Sequence, residues 1–81
     1  MAPMRTLTRR LRILRTIRAL TQRDTAIKAR LPYGRYMDIE NGYRVPSPEE
    51  MDQIARALKT TATAILTSDT DADASVLAES T

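Results

Sequence analysis

TQRDTAIKARLPYGRYMDIENG, residues 21–42, is the stretch that decides the fold. The Thr21 hydroxyl can accept from a backbone N–H and so cap a helix beginning at Gln22. Ala26 and Ala29 keep that helix thin enough for another to cross it closely. Pro32 lacks a donor and fixes its own φ, so the helix, Gln22 to about Arg30, stops before it. A further helix follows, Tyr33 to Glu40, with Tyr36 and Ile39 on its inner side at a spacing of three. Asn41 and Gly42 end it, because both tolerate the left-handed backbone of a helix terminus. The stretch is therefore two short helices joined by a tight turn.

Upstream, Leu7, Leu11, Leu14 and Ile17 step by four, three and three, which predicts a helix from about Leu7 to Ala19. Arg9, Arg10, Arg12 and Arg18 fall mostly off that stripe, and residues 1–6 read as a loose basic arm. Downstream, residues 43–46 connect to Ser47-Pro48-Glu49-Glu50, a capping box with Pro at the first helical position. That predicts a fourth helix to about Leu58, with Met51, Ile54, Ala55 and Leu58 inward. Thr60 and Thr61 start a short fifth helix whose apolar contacts come from Ile65 and Leu66. From Ser68 the composition turns acidic, small and polar, so residues 68–81 are expected to be a disordered tail. Val76-Leu77 in that tail reads either as loose chain or as a partner contact. The organisation is thus a basic arm (1–6), one helical domain (7–67) and an acidic tail (68–81).

With 81 residues the chain has room for one domain. Phe and Trp are absent, so Leu, Ile, Ala, Met and three Tyr must fill the core. There is no Cys and no His, which removes disulfides and the usual zinc ligands. No cofactor or metal is expected. Without His or Cys, acid-base or nucleophilic chemistry would rest on carboxylates, Tyr, Ser or Lys. There is no Gly-rich phosphate loop either, so the chain does not read as an enzyme. No apolar run approaches the ~20 residues that cross a bilayer, and no signal-peptide core follows the basic start. A cytoplasmic protein that does not bind membranes is expected. Charge is uneven: residues 1–44 hold eleven Lys/Arg and three acids, a net of +8, while residues 45–81 hold two and seven, a net of −5. The first half reads as a surface that meets an anion, nucleic acid being the commonest, or else as a solvated Arg-rich face.

Leu20-Thr21-Gln22, Ala26, Ile39-Glu40-Asn41-Gly42 and Pro46-Ser47 stand at the spacing of one family. Over Leu11 to Leu66 the chain resembles the phage-repressor helix-turn-helix regulators, of Cro/cI or XRE type. The resemblance implies an all-α fold: a compact four- to five-helix bundle, the lambda-repressor-like DNA-binding domain, with the third helix in the major groove. It also implies that Arg15 of the first helix pairs with Glu40, a structural contact.

The same resemblance places phosphate contacts at Gln22, Asn41 and Arg44, although Asn41 also reads as a helix stop. It places base contacts at Pro32, Tyr33, Gly34, Met37 and Asp38. None of these is Arg, Gln or Asn, the residues that make paired hydrogen bonds to purine edges. Tyr33 offers a hydroxyl or a face for a thymine methyl, Met37 apolar contact, and Asp38 an acceptor for cytosine N4. Arg35, adjacent and basic, is the candidate for the one strong guanine or phosphate contact. Two frame positions depart from the family. Arg30 replaces the turn Gly and is expected in a left-handed conformation, and Thr25 replaces a core Leu.

Two functions are compatible with this pattern. One is a sequence-specific DNA-binding transcriptional regulator, a repressor or autoregulator. It would act as a homodimer on a pseudo-palindromic operator with half-sites ~34 Å apart, and Ile65, Leu66 and Ala62 are candidates for its dimer surface. The other is an antiactivator or antirepressor that uses the same scaffold to capture a regulatory protein. Its support is Asp38, the apolar set Ile27, Tyr33 and Met37, and the acidic tail.

Overall fold

The computed structural model describes the backbone of residues 3–67 and the side chains of residues 6–66. The chain folds as α1 (Pro3–Ile17), α2 (Gln22–Ala29), α3 (Tyr33–Glu40), α4 (Pro48–Ala57) and α5 (Ala62–Thr67), with no strand among the described residues. The expectations for residues 68–81, Val76-Leu77 included, lie outside the described residues.

Helix α1 begins at Pro3, four residues before the predicted start. Residues 3–6 of the expected loose arm are therefore helical. Pro is suited to a first helical position, and Met4-Arg5-Thr6 contains nothing that breaks a helix. Leu11 and Leu14 are fully buried, but Ile17, the last residue of the predicted stripe, is 42% exposed. The helix closes there: Ala19 turns left-handed, and the Leu20 N–H donates back to the Arg15 carbonyl at 3.0 Å.

Helix α2 opens with a full capping box. Thr21 Oγ1 accepts from Asp24 N at 2.9 Å, and Asp24 Oδ2 accepts from Thr21 N at 3.1 Å. Arg30 takes the left-handed conformation expected of it (φ 59°, ψ 41°), with Leu31 N donating to the Ala26 carbonyl at 2.9 Å. Helix α3 has the predicted bounds. Of its two stop residues only Gly42 is left-handed (φ 87°); Asn41 stays right-handed. Ser47 and Glu50 form the predicted box at the head of α4.

The core is Leu11, Leu14, Ala26, Ala29, Tyr36, Ile39, Met51, Ile54, Ala55, Ala57, Leu58 and Ile65. Helix α2 packs against α4 and α3, while α1 packs against α3 and α5. Thr25 sits in this core at 0% exposure. Its hydroxyl donates to the Thr21 carbonyl at 2.9 Å, which lets a polar residue stand where Leu is usual. Leu66 departs from its predicted role. It is 56% exposed and lines an open apolar groove with Leu7, Val45, Pro46 and Met51.

Part of the basic first half is internal. Arg10 Nη1 donates to the Ile65 carbonyl at 2.5 Å, and Arg18 donates to the Leu58 and Lys59 carbonyls at 2.8 and 3.0 Å. Gln53 Nε2 donates to the Ala29 carbonyl at 2.8 Å. Helix C-termini leave carbonyls without intrahelical partners and carry partial negative charge. Arg10 and Arg18 close the ends of α5 and α4, a structural use of cations that the charge count alone read as a surface for anions, and the neutral Gln53 does the same for α2.

Candidate nucleic-acid interface

Behind the α2–α3 pair lies one buried carboxylate. Glu40, at 0% exposure, accepts from Arg15 Nε at 2.8 Å and from Arg15 Nη2 at 3.1 Å. Tyr36 Oη donates to it at 2.7 Å and Gln22 Nε2 at 2.9 Å. Arg15 also donates to the Leu20 carbonyl at 3.0 Å. Donors from α1, α2 and α3 thus converge on one acceptor and fix the angle between the two helices of the motif. Burial raises the Glu40 carboxyl, and the hydrogen bonds from Arg15, Tyr36 and Gln22 more than reverse it, so it lies below the ordinary glutamate value. The Arg15 guanidinium is raised, chiefly by its hydrogen bonds to Glu40. The Tyr36 hydroxyl is raised first by burial and then by Glu40. Arg15 and Glu40 pair as the resemblance implied.

The predicted contact residues fall into two groups. Tyr33 and Gly34 are exposed at the start of α3, Met37 and Asp38 are half-buried one turn on, and Arg44 is exposed in the following loop. Of these, Tyr33 meets the start of α2, and the candidate face is that of the α3 residues with it. The other three are turned toward the protein. The Gln22 amide nitrogen is held on Glu40, and Asn41 Oδ1 accepts from Arg12 Nη2 at 3.1 Å. Arg35 is braced against α4: its Nε and Nη2 donate to Glu50 at 2.5 and 2.9 Å. Both groups are part-exposed, at 32% and 14% of their side-chain surface. The strong contact expected from Arg35 thus has two of its nitrogens committed to a carboxylate. Arg35 and Asp38 lie on the same helix, and Asp38 adds to the charge that holds the guanidinium protonated.

Two further residues join this face. Arg12 reaches Asn41 from α1 and lies 3.7 Å from Glu40. Arg23, in the first turn of α2, has its Cζ 4.5 Å from the centroid of the Tyr33 ring. Sequence reading missed both, since Arg12 and Arg23 carry no local signal that pairs them with residues so far along the chain.

Two outcomes follow from these contacts. Arg35→Ala lowers the melting temperature, and the loss is not additive with that of Glu50→Ala, since each variant removes the same contact. Additive losses in denaturation experiments would show that the brace carries nothing. The second outcome concerns acid. Arg35's hydrogen bonds and then the Ser47 backbone hold Glu50 down at about 2, and Glu40 is depressed as well. Both carboxyls bind protons more weakly folded than unfolded, so their contribution is complete above the ordinary glutamate value of about 4.3. The Glu50 part is lost as pH falls from there toward about 2, and the Glu40 part is lost below the same ordinary value. Thermal melts should show a steady decline across that window and little change near neutrality, and Glu50→Gln should flatten part of the decline.

A pair of short helices, braced from behind by a buried carboxylate and open in front, is a helix-turn-helix, the element that lays its second helix against DNA bases. A family model described as a helix-turn-helix domain matches residues 6–66, and the chain belongs to that family. No curated protein and no solved structure matches the chain. Among the described residues no group of His, Cys, Asp and Glu is arranged to hold a metal ion. Among them, too, no helix is long and apolar enough to cross a membrane.

Proposed function

We propose that the protein is a sequence-specific transcriptional regulator of Cro/cI or XRE type, a repressor or autoregulator rather than an enzyme. It places α3 in the major groove of a pseudo-palindromic operator. The observation that carries this reading is the division of the α2–α3 unit. Its inner side is consumed by Glu40, while Arg23, Tyr33, Gly34 and Arg44 are exposed and Arg23 meets Tyr33. Gly34 has nothing within 4 Å of where a Cβ would stand, so DNA can approach the backbone of α3 closely. Met37 supplies apolar contact for a thymine methyl, and Asp38 an acceptor for cytosine N4. Arg44 meets phosphates from the loop side, and Asn41, its Oδ1 held by Arg12, keeps its amide nitrogen as a donor for them.

The protein acts as a homodimer, and the apolar groove of about 380 Å³ between Leu7, Val45, Met51, Ala62 and Leu66 supports α5 as part of the dimer surface. Ile65 belongs to the core instead, at 0% exposure. The alternative, capture of a regulatory protein, is favoured by one observation: Ile27, on the outside of α2, is 69% exposed.

Titrating the purified chain against its own upstream DNA at two salt concentrations separates the two. The DNA reading predicts a steep loss of affinity with salt and a preference of ~10³ or more over random duplex. Weak binding without preference supports the protein-capture reading.

A further inference from the structure

We infer that Arg23, held over Tyr33, supplies a positioned, forked guanidinium on this face and takes a planar pair of acceptors on DNA. Those acceptors are either guanine O6 and N7 or two phosphate oxygens. The inference rests on the DNA-binding reading above and replaces Arg35 as its strong contact. Three guanidinium groups around the motif are engaged by acceptors of the protein itself, Arg15 on Glu40, Arg35 on Glu50 and Arg12 on Asn41, while Arg44 is exposed in the loop after α3. Arg23 is held differently. Its Cζ lies 4.5 Å from the Tyr33 centroid, and both residues are exposed. An aromatic face attracts the cation without taking any of its N–H donors, which lie in the guanidinium plane. The stack therefore positions the fork while leaving it able to bind bidentately. It also reduces the side-chain freedom that binding would otherwise remove.

Placement points the same way. Arg23 sits in the first turn of α2, where the helix dipole and the unpaired N–H groups already favour an anion. A cation there does not serve the helix, but beside a phosphate or a guanine edge it adds to the same field. Tyr33 is the first residue of α3, so the stack spans the two helix starts at the front of the motif. Tyr33 is then a positioning residue for Arg23, and its hydroxyl is dispensable.

The test compares the full chain with Arg23→Ala, Arg23→Lys, Tyr33→Phe, Tyr33→Ala and the double alanine variant, on the duplex that the wild type prefers. Melting temperatures are recorded for each. Arg23→Ala should lose roughly tenfold or more in affinity, Arg23→Lys should not restore it, and Tyr33→Phe should bind like wild type. Tyr33→Ala should lose affinity by a factor that vanishes once Arg23 is alanine. If the partner is guanine, the loss is confined to duplexes that keep that base, and 7-deazaguanine reproduces it. If it is phosphate, the loss is uniform and the salt slope falls by about one. Unchanged affinity in Arg23→Ala, full rescue by lysine, or equal losses in Tyr33→Phe and Tyr33→Ala overturn the inference while the DNA reading stands. A wild type that binds no duplex overturns both.

Discussion

Glu40→Ala should unfold the domain or leave it barely folded. The substitution removes an acceptor shared by Arg15, Tyr36 and Gln22, side chains from three helices. Arg15 is left with its Leu20 contact and an uncompensated charge, and Tyr36, at 0% exposure, is left with a buried hydroxyl. Breaking one side of a buried ion pair costs about 3–5 kcal/mol. The total stability of a small domain is about 5–15 kcal/mol, so this loss takes a large part of it. Denaturation by heat or urea measures the effect, and an unchanged midpoint would contradict it. Glu40→Gln keeps the shape but turns one acceptor into a donor facing other donors, so its loss should be intermediate. Replacing Arg15 and Glu40 together by apolar residues of similar size should cost less than Glu40→Ala alone, because no charge is then stranded.

Gly34→Glu should do the opposite, keeping the fold and abolishing DNA binding. Gly34 is the second residue of α3, and nothing beyond its own stretch of helix lies within 4 Å of a Cβ built on it, so a side chain there meets open space. A carboxylate in the first turn of a helix is favoured by the helix dipole, by roughly 0.3–1 kcal/mol, and replacing Gly adds helix propensity. The melting temperature should therefore hold or rise. On DNA the new carboxylate faces the phosphates, and like charges brought together at an interface cost several kcal/mol. Affinity should fall by about a hundredfold or more. Gly34→Ala provides the control, with the fold kept and only a steric effect on DNA. Wild-type affinity in Gly34→Glu would mean that the front of α3 does not meet nucleic acid.

The parts of this molecule that were legible in sequence are those written in local signals. Pro32 and Asn41-Gly42 are hard stops, and α3 has the bounds they set. Ser47-Pro48-Glu49-Glu50 marks the head of α4 and the structure starts the helix there. Arg15 and Glu40 were paired only through family resemblance, since nothing in their spacing joins them. What stayed hidden depends on tertiary contacts between residues that each had an adequate local reading. Glu50 reads as half of a capping box, and it is also the partner of Arg35. Arg10 and Arg18 read as solvated or anion-facing because they lie off the apolar stripe. Their long side chains instead reach carbonyls at the ends of α5 and α4. Arg23 meets Tyr33 only because the turn at Arg30 brings the starts of α2 and α3 side by side. The basic half of the chain thus includes side chains that close helix ends and brace helices, Arg10, Arg15, Arg18 and Arg35, beside exposed ones such as Arg23 and Arg44.

The most direct measurement is the footprint of operator duplex on the isotopically labelled full chain, read from amide and side-chain resonances. The predicted footprint covers Arg23, Tyr33, Gly34, Met37 and Arg44 and spares Arg18, Arg56 and Lys59 at the far ends of α1 and α4. Shifts centred on the Val45–Met51–Leu66 groove, or none at saturating duplex, would contradict the assignment of the α2–α3 face to DNA.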